Sequence, residues 1–255
     1  MTIPKIIHIG WYQGFDKIPE KYKIYVDSWK KHNQDFKIEY WDNNRFINES
    51  GKKDWFPELL KIYNGMKSTR QTYALKMDLI KYFALNFYGG FWVDTDCMCI
   101  NPIVKNFSLD TDKVQFVKFI CVDPIIRHIN SHLLDIWFIA SPCGNPYWEL
   151  TFEYIIKRNK NPYTFFNMES ICRDPLYYNN VHITHKGKYS CYIDEGICVR
   201  KKKSITNKTL CYHDFEGTWL DFNILNSYTI FMIRETNVTV IIFIIYVVAL
   251  IIFLR

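Results

Sequence analysis

Residues 68–96 read STRQTYALKMDLIKYFALNFYGGFWVDTD. A long helical pattern, a double glycine, a short apolar run and two aspartates follow one another in this stretch. Ala74, Met77, Ile80, Leu85 and Tyr88 can share one buried helical stripe, and Ser68 is placed to cap its start. Gly89 and Gly90 fall where a helix end asks for a left-handed residue. Phe91–Val93 then reads as a short strand, and Asp94-Thr95-Asp96 stands at its end.

Working outward, Lys5–Ile9 is an apolar run after Pro4 and reads as a buried strand. Ile18–Lys31 carries Ile24, Tyr25 and Trp29 at helical spacing, with Pro19 suited to a first turn. Phe36–Trp41 alternates as a strand does, and Asp42-Asn43-Asn44 breaks it and can cap the next helix. Strand, helix, strand, helix, strand within a hundred residues predicts an α/β fold around a mostly parallel sheet. Further on, Val114–Val122 reads as a strand, Tyr147–Lys157 as a helix and Ile193–Val199 as a strand.

Composition narrows the classes. With 49% hydrophobic and 23% charged positions, the 255 residues exclude a disordered tail and a collagen-like rod. Only 10 Gly and 9 Pro are too few turn residues for a propeller. The 8 cysteines are scattered, with no CxxC and no histidine at zinc-finger spacing, which suits reduced, mostly buried thiols. The net charge of +6 is spread along the chain; the run Arg200–Lys203 reads as a solvated loop, and no nucleic-acid-binding module accompanies it.

Val238–Leu254, VTVIIFIIYVVALIIFL, has no charge, Gly or Pro. As a helix it would rise about 26 Å, near the thickness of a bilayer core. It is expected to be a single transmembrane anchor at the C-terminus. The opening residues lack the apolar core of a signal peptide, so a tail-anchored arrangement with the remaining chain in the cytosol is expected. The four sequons at Asn48, Asn106, Asn207 and Asn237 argue mildly the other way, although an Asn-rich chain holds about two by chance.

Two carboxylates at i and i+2 after a strand place hard oxygen ligands close together, which suits Mg²⁺ or Mn²⁺ shared with a diphosphate. In open α/β sheets, ligands gather at that end of the strands. The pattern alone is cheap: Asp110-Thr111-Asp112 repeats it in a polar stretch and reads as a solvated turn. Phosphatases with a DxD nucleophile ask for Thr or Val two residues beyond, where Met98 stands here.

Tyr73–Asp96 resembles the sugar-binding region of DXD-containing glycosyltransferases, including the Och1-like mannosyltransferases and the bacterial capsular sugar transferases of glycosyltransferase family 32. Their pattern is an Asp, an Arg three residues on, a tyrosine-rich helix, then YGG, a short stretch that opens on an apolar residue, and DxD. Asp78, Lys81, Gly89, Gly90, Asp94 and Asp96 fall at that spacing, with Lys replacing Arg. Pro4–Gly14 (PKIIHIGWYQG) resembles the family's opening strand, and His213–Trp219 (HDFEGTW) resembles its closing motif.

The resemblance implies one GT-A domain over residues 1–233, separate from the anchor at 238–254. It implies a retaining, metal-dependent transferase that moves a hexose from a UDP- or GDP-linked sugar to a glycan, lipid or protein acceptor. A catalytically silent relative that binds a nucleotide sugar is the alternative. By the resemblance, Asp94 and Asp96 are catalytic and hold Mn²⁺ or Mg²⁺, with His213 as the favoured third ligand over Asp214 and Glu216. Asp78 and Lys81 hold donor hydroxyls, Trp11 stacks on the base, and Thr218 and Trp219 close over the diphosphate. His8, on an apolar strand, reads as a satisfied core histidine.

Overall fold

The computed structural model describes residues 1–53, 56–66, 70–118, 134–159, 187–194, 196–199 and 202–214. All of them lie in one compact unit, Met1–Glu216. The transmembrane expectation at 238–254, the cap at Ser68 and the positions Thr218 and Trp219 lie outside the described residues.

The chain opens with strand β1 (Ile6–Gly10), helix α1 (Glu20–His32), strand β2 (Lys37–Trp41) and helices α2 (Asn43–Ser50), α3 (Pro57–Gly65) and α4 (Arg70–Tyr88). Strands β3 (Gly90–Val93) and β4 (Cys97–Cys99), helix α5 (Ile103–Asn106), strands β5 (Val114–Lys118) and β6 (Leu134–Ser141), and helix α6 (Pro146–Asn159) follow. Strands β7 (Ser190–Tyr192), β8 (Cys198–Val199) and β9 (Cys211–His213) complete the described elements. The main sheet has the order β2-β1-β3-β6-β5-β7. β1 runs parallel to β2 and β3, and β5 runs parallel to β7, while β6 is antiparallel to both of its neighbours. The sheet is therefore mostly parallel, with β6 as the one reversed strand among those described.

Alternation along the strands builds a core on each face. Phe91 and Val93 of β3 pack with Ile7, Ile9 and the α1 residues Val26 and Trp29. Trp92 points to the other face and joins Trp41, Phe46 and the α3, α4 and α6 residues Tyr63, Leu79, Phe83 and Trp148. The buried positions of α1 are Tyr22, Val26, Ser28 and Trp29, at i, i+4 and i+7 for the aromatic stripe, whereas Ile24 lies off that stripe and is exposed. Asp42 caps α2 as expected, its Oδ1 accepting from the Arg45 N–H at 2.7 Å.

Two expectations needed correction. The stripe read along α4 is too narrow. Ile80 and Leu85 are buried, but so is every residue from Asp78 to Leu85, while Ala74, Met77 and Tyr88 are only half-buried. The helix is covered by α3 and α6 as well as by the sheet, so it buries nearly its whole circumference. Ile193–Val199 is not one strand: Ser190–Tyr192 pairs with β5 in the main sheet, and Cys198–Val199 pairs with β9 in a second one.

That second sheet has the order β4-β9-β8. It gathers Cys97, Cys99, Cys198 and Cys211, and burial pushes the Cys97 and Cys99 thiols up to about 12. Those two thiols stay protonated at neutral pH and act as apolar core groups.

Candidate functional site

β1 hands the chain to α1 and β2 on one side, and β3 lies on its other side. The crevice between β1 and β3, beyond their carboxyl ends, is the point where the strand order reverses, and ligands of open α/β sheets settle there. Ile9 and Val93 are register partners. Asp94, just after β3, therefore stands level with Gly10, and Trp11 and Asp96 follow at the same edge.

Glycine is required at three places along β1 and leading into β3. Gly89 and Gly90 have φ of 61° and 94°, and a Cβ on Gly90 would lie 2.5 Å from the Ile6 carbonyl oxygen. A Cβ on Gly10 would lie 2.7 Å from the Trp92 ring and 2.1 Å from the Met77 tip. The missing side chain lets the Trp92 indole lie across β1, and its Nε1–H donates to Asp94 Oδ1 at 3.0 Å.

Asp94, Asp96 and His213 bring one ligand atom each within 4.8 Å of one another. Backbone pairing accounts for this: Cys97 and His213 are register partners, and the Asp214 N–H donates to the Asp96 carbonyl at 3.1 Å. His213 Nε2 lies 3.0 Å from Asp96 Oδ1, and the imidazole stacks on Trp137 with ring centroids 5.0 Å apart. Asp214 turns away and accepts from the Tyr25 hydroxyl. Glu216 lies outside the described residues.

Asp78 and Lys81 sit directly behind the cluster, both buried. The Lys81 ammonium is 3.2 Å from Asp78 Oδ1, 3.2 Å from Asp94 Oδ1 and 2.9 Å from the Ile136 carbonyl. Three oxygens match the three donors of an ammonium. Burial pushes the Asp94 carboxyl up, and Lys81 opposes that shift. The Asp94 carboxylate is enclosed at its base yet keeps 36% of its side-chain surface open, so it faces the crevice.

The donor set fits a divalent cation. It offers carboxylate oxygens and one imidazole, which Mn²⁺ and Mg²⁺ accept. Three carboxylates (Asp78, Asp94, Asp96) against the one Lys81 ammonium leave two negative charges, which one such ion would balance.

Trp11 is half-buried at the crevice edge, its ring 5.6 Å from Tyr22. His8 is a core residue as expected: its Nδ1 accepts from the Trp41 indole N–H at 2.9 Å, and its Nε2 bonds to the Gly89 carbonyl at 2.7 Å. This arrangement requires a neutral ring protonated on Nε2, and burial lowers the His8 pKa to about 4. The second DxD, at 110–112, forms a turn before β5, with exposed Asp110 and Asp112. Trp92, Trp137 and Gly10 escaped sequence reading. Only their proximity to the DxD in the sheet marks them, and no local pattern reports that.

Residues 19–115 match the family described as the glycosyltransferase sugar-binding region containing the DXD motif. Over 97 residues the chain is 39% identical to the "Uncharacterized glycosyltransferase L373" of Acanthamoeba polyphaga mimivirus, covering 38% of this chain and 37% of that relative. Among solved structures, the UDP-bound glycosyltransferase domain of the YGT toxin aligns with a TM-score of 0.55 at 9% identity, over 75% of this chain and 80% of that one. The PaToxG glycosyltransferase aligns with a TM-score of 0.53 at 16% identity, over 72% and 70%. These likenesses establish a GT-A-like α/β fold. Across residues 19–115 the chain is similar to the glycosyltransferase sugar-binding region that contains the DXD motif.

Proposed function

We propose that the protein is a metal-dependent, retaining glycosyltransferase that moves a hexose from a UDP- or GDP-linked donor to a glycan, lipid or protein acceptor. The observation that carries the reading is the convergence of Asp94, Asp96 and His213 at the sheet's switch point, the two aspartates lying in the stretch that is similar to the DXD sugar-binding region. Asp94, Asp96 and His213 would hold Mn²⁺ or Mg²⁺. When bound, that ion supplies Lewis acidity that neutralises charge on the departing nucleoside diphosphate.

The chain's own residues do the positioning. Lys81 fixes Asp94 and Asp78 from behind, and the Trp92 indole holds the same Asp94 oxygen. With its donors directed at protein oxygens, Lys81 orders the acidic pair, and Asp78 is left as the member of the pair that addresses donor hydroxyls. Trp11 offers an aromatic face for the base at the crevice edge. Retention would follow from acceptor attack on the face the diphosphate leaves, the leaving phosphate taking the acceptor proton. The apolar run Val238–Leu254 would anchor the domain to a membrane from its cytosolic side.

The test is a panel of UDP- and GDP-hexoses with the full-length protein in detergent, with and without Mn²⁺. Release of nucleoside diphosphate that disappears in Asp94→Ala and Asp96→Ala supports the reading. Folded protein that neither turns over nor binds any donor would refute it, and binding without turnover would indicate a silent relative.

A further inference from the structure

Two lysines of α4 are buried, and their surroundings differ sharply. Lys81 is 2% exposed and is met by two carboxylates and a carbonyl. Lys76 is 6% exposed, and among the described residues no carboxylate pairs with it and no oxygen accepts its hydrogen bonds. Its ammonium lies 4.9 Å from the Tyr63 ring and 5.7 Å from the Tyr12 ring. Tyr12 in turn stacks on Tyr73, with centroids 4.4 Å apart. Cation–π contacts return only part of what an ammonium loses on leaving water. Burial lowers the Lys76 pKa, as it does for a cation drawn out of water.

The place of this cage matters. α4 runs opposite to β3, so its first turns lie beyond the carboxyl ends of the strands, on the same side as Asp94. Tyr12 follows Trp11 off the end of β1, and the Tyr12 carbonyl accepts from Asn43 N–H at 3.1 Å, which fixes that loop to α2. Met77, the neighbour of Lys76, lies against Gly10 beside Trp92, and the far end of Trp92 bonds Asp94. The tyrosine cage therefore borders the crevice, one tryptophan away from the carboxylates.

We propose that Lys76 is an anion-holding residue of the crevice that binds a phosphate of the nucleoside diphosphate independently of the metal ligands. This rests on the transferase reading above. The ammonium donors, which meet no oxygen among the described residues, are supplied by phosphate oxygens, and the tyrosine rings keep the ion pair partly dry, which strengthens it. The acidic cluster binds through a cation; Lys76 binds the anion directly.

The test is binding of UDP, GDP, uridine, guanosine and inorganic phosphate to the full-length protein in EDTA, by calorimetry. Wild-type protein should bind one nucleoside diphosphate at least tenfold more tightly than its nucleoside. Lys76→Met should lose that preference while keeping nucleoside affinity, Lys76→Arg should retain it, and Lys76→Gln should behave as Lys76→Met does. The ligand-free Lys76→Met protein should also melt at a higher temperature, because an uncompensated buried charge is removed. A diphosphate preference unchanged in both Lys76→Met and Lys76→Gln would overturn the Lys76 assignment and leave the transferase reading intact. A wild-type protein that binds no nucleotide in EDTA would overturn the Lys76 assignment, and one that binds none in Mn²⁺ either would overturn both. A lower melting temperature in Lys76→Met with unchanged affinity would make the residue a structural cation only.

Discussion

At the level of single residues, histidine and lysine show how burial sorts function from structure. Burial holds His8 neutral and lowers its pKa from 6.5 to about 4, while its hydrogen bonds to Trp41 and Gly89 fix the tautomer. A base whose folded pKa is depressed takes up protons on unfolding. Its contribution to stability is whole above pH 6.5 and is lost as pH falls toward 4. The difference amounts to about 3 kcal/mol at 1.36 kcal/mol per unit. His8→Asn should show a shallower loss of stability between pH 6.5 and 4 than wild type in urea titrations, and equal slopes would refute the neutral-ring assignment. Lys81 leads to a different expectation. Lys81→Met leaves Asp78 and Asp94 buried without their cation, so donor turnover should fall at least about 100-fold, while Lys81→Arg should keep a larger share. The Asp94–Asp96 pair and His8 were legible from the sequence because strand, glycines and spacing surround them. The posture of Lys81 was not, since an i,i+3 pair looks the same on a surface as in a core.

Secondary-structure elements position these residues, and the close approach of β3 to β1 is the tightest constraint. Gly90 has a positive φ of 94°, and any Cβ there meets the Ile6 carbonyl. Gly90→Ala should cost about 2 kcal/mol or more and lower the melting temperature by several degrees, measured by calorimetry. Gly10→Ala tests the site more selectively, because Met77 can yield but the Trp92 ring has little room. Turnover should fall more than stability does, as the Trp92–Asp94 hydrogen bond is disturbed. Of the elements, β1, α1, β2, α4 and β3 were readable from periodicity and turn residues. β6, which joins β3 to β5 in the main sheet, was not: it carries only Asp135 and Ser141 as polar breaks, and a buried strand shows no alternation. The second sheet was equally invisible, because strands of two or three residues leave no periodic trace.

On the scale of the whole molecule, that small second sheet is what makes the site. It returns the chain, far downstream of the DxD, to within hydrogen-bonding distance of Asp96, so the DxD and the first residue of the closing motif meet at one point. Their order along the sequence suggested a common site, and the pairing of β4 with β9 supplies the physical reason. The central claim is that Asp94, Asp96 and His213 act together through one divalent cation during sugar transfer. The most direct measurement is the Mn²⁺ dependence of nucleoside diphosphate release from the preferred donor, compared between the wild-type protein and His213→Ala. The predicted result is no release in EDTA, saturable restoration by Mn²⁺, and a half-saturating concentration raised at least tenfold in His213→Ala. Release that persists in EDTA, or an identical Mn²⁺ dependence in the two proteins, would contradict it.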